Sequence, residues 1–173
     1  MTRYISVTDT AKLVRAALKA AFPGVKFSVR SDSYSGGASI RVGWTDGPTE
    51  DAVEGTTGGY RGASFDGMQD LKTHHDTVLV GPGGTVEVVH FGADFIFTDR
   101  KLSEAYLAEL RPHAEAILDG YAGTYGKPFD LNGWYEGVPC EYGVFPHGSG
   151  HNLLWWLSKH IAPSAYTPAS AKR

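Results

Sequence analysis

Seven histidines, one cysteine and a few closely spaced acids are the residues whose types suit catalysis or metal binding in this chain. His147 and His151 stand four apart, the spacing that puts two imidazoles on one helix face for a tetrahedral metal. Gly148-Ser149-Gly150 between them favours a loop leading into a helix, and no further histidine or carboxylate pair stands at zinc-site distance. His74, His75 and Asp76 are adjacent, so their side chains diverge in a strand and in a helix alike. Asp66 and Asp70, around Gly67-Met68, could share a proton or a cation, but acids beside glycines more often hydrogen-bond the turn they sit in. Ser149 lacks the frame of a nucleophile elbow, and the loop around it lacks the Lys-Ser/Thr pair of a phosphate loop. Cys140, the only cysteine, reads as a small buried hydrophobe rather than a partner for His147. No metal, no cofactor and no catalytic set is expected.

A basic and aromatic set carries more. Val25, Phe27 and Val29 alternate with Lys26, Ser28 and Arg30, and Ile40, Val42 and Trp44 alternate with Arg41 and Gly43, the period of two half-buried strands. Between them Ser31-Asp32-Ser33-Tyr34-Ser35-Gly36-Gly37 is dense in turn formers, which predicts an antiparallel hairpin with a long tip. Lys26, Arg30 and Arg41 then share one sheet face, with Tyr34, Gly36 and Gly37 at the tip. Arginine pairs with phosphate or carboxylate, and an exposed tyrosine stacks on a base or a side chain. These six residues are the expected binding surface.

The elements around the hairpin follow from periodicity. Ser6 is placed to cap a helix over about 8–22, whose Leu13, Val14, Leu18 and Phe22 recur at helical spacing to pack on Phe27, Val29, Ile40 and Trp44. Pro23-Gly24 ends it, and Lys12, Arg15 and Lys19 fall on its outer face. Pro48, Glu50 and Asp51 predict a short second helix, followed by a strand-like run over 60–65. A second hairpin is predicted from Val78-Leu79-Val80, a turn over 81–84 and residues 85–91, with Phe95-Ile96-Phe97 as a last strand. From Ser103 a helical pattern runs to Tyr121, kinked or broken at Pro112. Residues 123–150 are rich in glycine, proline and aromatics without a period, and 151–161 predict a closing helix. The expected fold is α+β, a mainly antiparallel sheet packed by an N-terminal helix with further C-terminal helices. It forms a single domain over 1–162 with a frayed tail over 163–173.

At 173 residues the chain can bury a real core, and its 42% hydrophobic and 20% charged content is that of an ordinary globular protein. No apolar run approaches the length of a membrane span. With one cysteine and no apolar leader after the first basic residue, a reducing cytoplasm is the expected compartment. The net charge of −3 is unevenly spread, because residues 1–45 hold seven Lys/Arg against two Asp while 46–100 hold three against ten acids. A basic first quarter suits an anionic partner.

Two stretches, FPGVKFSVRSDSYSGGASIRVGWTDGP over 22–48 and YRGASFDGMQDLKTHHD over 60–76, resemble the twenty-ninth family of large polyvalent protein-associated domains, modules of phages and conjugative elements. The Tyr-Ser-Gly-Gly, Trp-Thr-Asp-Gly-Pro and Phe-Asp-Gly-Met elements carry the resemblance, which covers about 10–100 and leaves 101–162 as a helical and aromatic extension. Trp44, Phe65, Asp66, Gly67, Met68 and Asp70 belong to these elements as a structural motif. The resemblance implies a non-enzymatic binding protein of a mobile element that counters a host defence system, an anti-CRISPR-like inhibitor. Its expected partner is a host defence protein or ribonucleoprotein, with DNA or RNA as a further ligand and no membrane. A nucleic-acid-binding accessory module is the alternative, and a small metal-dependent hydrolase or nuclease using Asp66, Asp70 and a histidine is the second.

Overall fold

Ser6 Oγ donates to the Asp9 carboxylate at 2.7 Å and accepts from the Asp9 amide at 3.1 Å, closing the first turn of helix α1 (Val7–Ala21). This cap satisfies an amide that has no partner inside the helix. In the computed structural model, which describes residues 2–125, 139, 140, 143, 144, 153–163 and 166, the chain is α+β. It divides into two compact units, one built from Met1–Trp44 and Glu50–Arg100, the other from Thr45–Thr49 and Lys101–Thr167.

In the first unit α1 buries Ala11, Val14 and Leu18 against a three-stranded sheet. That sheet orders as β2 (Ser28–Tyr34), β3 (Gly37–Thr45) and β8 (Phe95–Lys101). Ile40 and Val42 on β3 are wholly inaccessible, and Trp44 sits against Phe27 at 5.7 Å between ring centres. Each such aliphatic side chain stabilises the fold by about 1.5–3 kcal/mol on burial. Val53 of helix α2 (Glu50–Thr57) completes the cluster. A second sheet has the order β1 (Arg3–Ile5), β7 (Val86–Phe91) and β6 (Thr77–Val80), with β1 parallel and β6 antiparallel to β7. Ile5, Val89 and Phe91 are its buried face. Strands β4 (Ala63–Asp66) and β5 (Leu71–His74) form a separate hairpin.

The second unit packs helix α3 (Glu104–Tyr125) on the short helix α4 (Leu153–Leu157) through Tyr106, Leu110, Leu118, Leu153 and Leu157. The Tyr106 hydroxyl donates to the Ile161 carbonyl. Asp46 Oδ1 accepts the Ser103 amide at 2.8 Å ahead of α3. Strands β9 (Pro139–Cys140) and β10 (Gly143–Val144) pair antiparallel. No helix among the described residues is long and apolar enough to cross a membrane.

Several sequence expectations need correction. Leu13 is 38% exposed, because the buried line of α1 runs through Ala11, Val14 and Leu18 and leaves Leu13 at its edge. Val25 and Phe27 precede β2 and pack as loop residues rather than as strand positions. The long tip expected over 31–37 is replaced by continuous pairing up to Tyr34↔Gly37, with Ser35-Gly36 as a two-residue turn. Ser and Asp are tolerated there because β2 is a sheet edge facing water, and tight hairpins select glycine at the turn. The run over 60–65 begins as a 3-10 turn, so β4 starts only at Ala63. Helix α3 runs through Pro112 without a break. Arg15 is exposed on α1 as expected, and its Nη2 reaches back to donate to the Val29 carbonyl at 2.9 Å. The closing helix is described only from Leu153, so His151 lies outside the described residues, as do His147 and Ser149.

Candidate arginine and aromatic sheet face

Pairing between β2 and β3 decides which side chains emerge together. Arg30 is directly opposite Arg41, with Ser28 opposite Gly43, Asp32 opposite Ser39 and Tyr34 opposite Gly37. Residues two apart along a strand share a face, and Val29, Ile40 and Val42 fill the other one against α1. Arg30 and Arg41 therefore stand side by side on the open face, and both are exposed. Among the described residues neither arginine makes an ion pair. Like charges directly opposite one another on paired strands repel, so this arrangement lowers stability unless an anion joins it.

Strand β8 adds what sequence reasoning missed. Arg41 Cζ lies 6.0 Å from the centre of the Phe97 ring, at the outer limit of a cation–π contact. Phe97 is 50% exposed, and the Phe95 ring is its neighbour at 6.1 Å. The alternation of Phe95 and Phe97 with buried Ile96 was visible in the sequence. Their place beside Arg41 was not, because it depends on β8 lying next to β3 rather than next to its neighbour in sequence. Asp32 and Asp99, also exposed, are acids at neighbouring strand positions.

The tip of the hairpin is held by a residue that no sequence pattern marks. Asp94 is buried; its Oδ2 accepts the Ala38 amide at 3.0 Å and the Lys72 ammonium at 2.7 Å. Lys72 Nζ also donates to the Gly36 carbonyl at 3.1 Å, and His74 Nδ1 is 3.7 Å from Asp94 Oδ1. Burial alone would raise the Asp94 pKa, but the Lys72 hydrogen bond, the Ala38 amide and the charges of Lys72 and His74 outweigh it and lower the pKa below 3.8. Tyr34 is 48% exposed, and a Cβ on Gly36 would lie 3.7 Å from its ring. The ring thus rests against the turn with its other side open. Lys26 is exposed but precedes β2 and has no place in the ladder.

The remaining candidates are not brought together with this face. Trp44 is buried in the core. Asp66 Oδ1 accepts the Met68 amide at 2.9 Å, serving its own turn, and Asp70 holds a positive φ of 50° in the same turn. Phe65 is exposed on β4, opposite Lys72, and Met68 projects from the turn, 98% exposed. His75 Nε2 lies 2.7 Å from Ser64 Oγ, while His90 Nδ1 lies 3.2 Å from Asp76 Oδ1. Among the described residues no group of three or more His, Cys, Asp or Glu is placed to hold a metal ion.

A family model described as large polyvalent protein associated domain 29 matches residues 5–103, more than half of the chain. No curated protein and no solved structure matches.

Proposed function

We infer the function from one premise: the chain belongs to the large polyvalent protein associated domain 29 family. It is a polyvalent-protein-associated domain of mobile genetic elements. Beyond that, we propose that it acts in the bacterial host cytoplasm as a non-enzymatic binding protein. It counters a host defence system in the manner of an anti-CRISPR inhibitor, by covering a working surface of a defence protein or ribonucleoprotein.

The observation that carries the proposal is the open face of the β2–β3–β8 sheet. Two exposed arginines, Arg30 and Arg41, stand opposite one another beside Phe97, with Tyr34 four residues along β2 at the hairpin turn, on a sheet whose other face is locked by α1. Rigid aromatics bury large area at low entropic cost, and arginine forks pair with phosphate or carboxylate. Such groups dominate binding energy at interfaces.

The test is an establishment assay. The gene is expressed in a host carrying an active CRISPR system, and transformation by a targeted plasmid is counted. Establishment is expected to rise at least tenfold, and the Tyr34→Ala/Arg41→Ala double variant is expected to lose that gain while melting as the parent does. No rise across hosts carrying different defence systems would overturn the proposal.

A further inference from the structure

Deepening that reading and resting on it, we propose that the β2–β3–β8 face is a platform for single-stranded nucleic acid, with phosphates at Arg30 and Arg41 and bases on Phe97 and Tyr34. The first support is electrostatic. Paired positions on antiparallel strands hold their Cα atoms about 4.5–5.5 Å apart, so the two guanidiniums concentrate positive charge on a short stretch of sheet. Among the described residues neither guanidinium is held in an ion pair by a carboxylate. A ligand carrying an anion at every repeat relieves that repulsion.

The second support is the company the arginines keep. Phe97 and Tyr34 are half-exposed rings, and Phe95 adjoins Phe97. Every nucleobase offers a flat π surface to such rings, and each stacked base contributes substantially to binding without regard to sequence. Single strands splay their bases out for stacking, whereas a duplex keeps them paired inside, so rings on an open sheet discriminate for the single strand.

Neighbouring residues fix where the strand can run. Gly43, two positions along β3 from Arg41, carries no side chain to block it. Asp32 is exposed between Arg30 and Tyr34 on β2, and Asp99 is exposed on β8, so phosphates are placed at the arginines and Tyr34 is reached by a base rather than by the backbone. Lys72 and Asp94 hold the turn at Gly36 in place, so the tyrosine is presented from a fixed hairpin rather than a loose loop.

The test is fluorescence anisotropy of the purified full chain with labelled oligouridylate and oligothymidylate of about a dozen nucleotides, within the usual footprint of such sheets. A duplex of the same length serves as comparison. Single strands are expected to bind at least tenfold more tightly than the duplex. Affinity is expected to fall with salt at a log–log slope of about −1.4, two phosphates at about 0.7 each. Phe97→Ala is expected to weaken binding about tenfold, Arg41→Ala to halve the salt slope, and Arg30→Ala/Arg41→Ala to abolish it. Phe97→Leu keeps apolar bulk without the ring, so its loss of binding separates stacking from folding. Equal binding of duplex and single strand, or unchanged binding by Phe97→Leu, overturns the platform.

The two readings separate cleanly. If no oligonucleotide binds while Arg41→Ala still abolishes protection of the invading plasmid, the ligand is a protein surface and the platform is wrong. If oligonucleotides bind as expected and no host shows protection, the platform holds and the anti-defence reading fails.

Discussion

Asp94 Oδ2 occupies the space that a Cβ on Gly37 would need. Gly37 also has φ +150°, a conformation that side chains disfavour. Gly37→Ala therefore has to displace the carboxylate from the Ala38 amide and Lys72, and it is expected to lower stability by roughly 2–4 kcal/mol, summing backbone strain and a lost charged hydrogen bond. Gly24→Ala is the control. It has φ +89° with nothing within 4 Å of the added carbon, so only the strain of about 1 kcal/mol applies. Denaturant melts of the two variants give the comparison, and equal losses would show that Asp94 moves freely.

The same carboxylate sets an acid limit. Its pKa in the folded chain is lowered, with burial opposed and outweighed by Lys72, the Ala38 amide and His74. A depressed carboxylate contributes stability that is fully present above its unfolded value of about 3.9 and is lost as pH falls through the lower folded value. Melting temperature is therefore expected to drop below about pH 4 in the parent. Asp94→Asn is expected to be less stable at neutral pH and to show a shallower acid decline. A parallel decline in both proteins would assign the acid sensitivity to other groups.

On α1 the buried line is sharply drawn. Leu18 is fully buried and Leu13 is not, so Leu18→Ala is expected to cost roughly 2–5 kcal/mol and Leu13→Ala under about 1 kcal/mol. Reversed costs would mean that the helix is rotated from its described position.

Pro112 is exposed inside α3. A proline there lacks the amide that would bond the Ala108 carbonyl, and its ring crowds that carbonyl. Pro112→Ala is expected to stabilise the second unit by about 1–3 kcal/mol, read as a higher melting temperature in the far-ultraviolet signal. A fall would show that the proline shapes the packing of α3 on α4.

What the sequence made legible was local. Ser6 with Asp9, the spacing of Val14 and Leu18, and the alternation of Ile40, Val42 and Trp44 each speak within a few residues, and each appears as expected. What it hid was long-range. Arg3–Ile5 becomes a strand only by parallel pairing with Val89–Phe91, far along the chain and without a turn signal between them. Asp32 and Ser33 read as turn formers, yet their ladder partners Ser39 and Ala38 hold them in strand. Asp94 and Phe97 join the hairpin only because β8 lies beside β3, and composition carries no trace of strand order.

Arg30 opposite Arg41 sets binding against stability. Like charges directly across an antiparallel pair destabilise it by a few tenths of a kcal/mol to about 1 kcal/mol, and opposite charges stabilise it by a similar amount. Arg30→Glu converts one into the other, because the new carboxylate faces the Arg41 guanidinium. The variant is expected to be more stable by about 0.5–1 kcal/mol at low salt, with the gain shrinking as salt screens the exposed pair. The same change removes one positive group from the face and engages the other, so partner binding is expected to fall at least tenfold, about 1.4 kcal/mol. A residue retained for structure alone would lose stability on substitution. One retained for contact with an anion gains stability and loses function. Melting temperature at two salt concentrations, set beside plasmid establishment in the host, reads both effects on one variant. If Arg30→Glu is less stable and equally protective, the arginine pair is a structural feature of the hairpin and the working surface lies elsewhere on the chain.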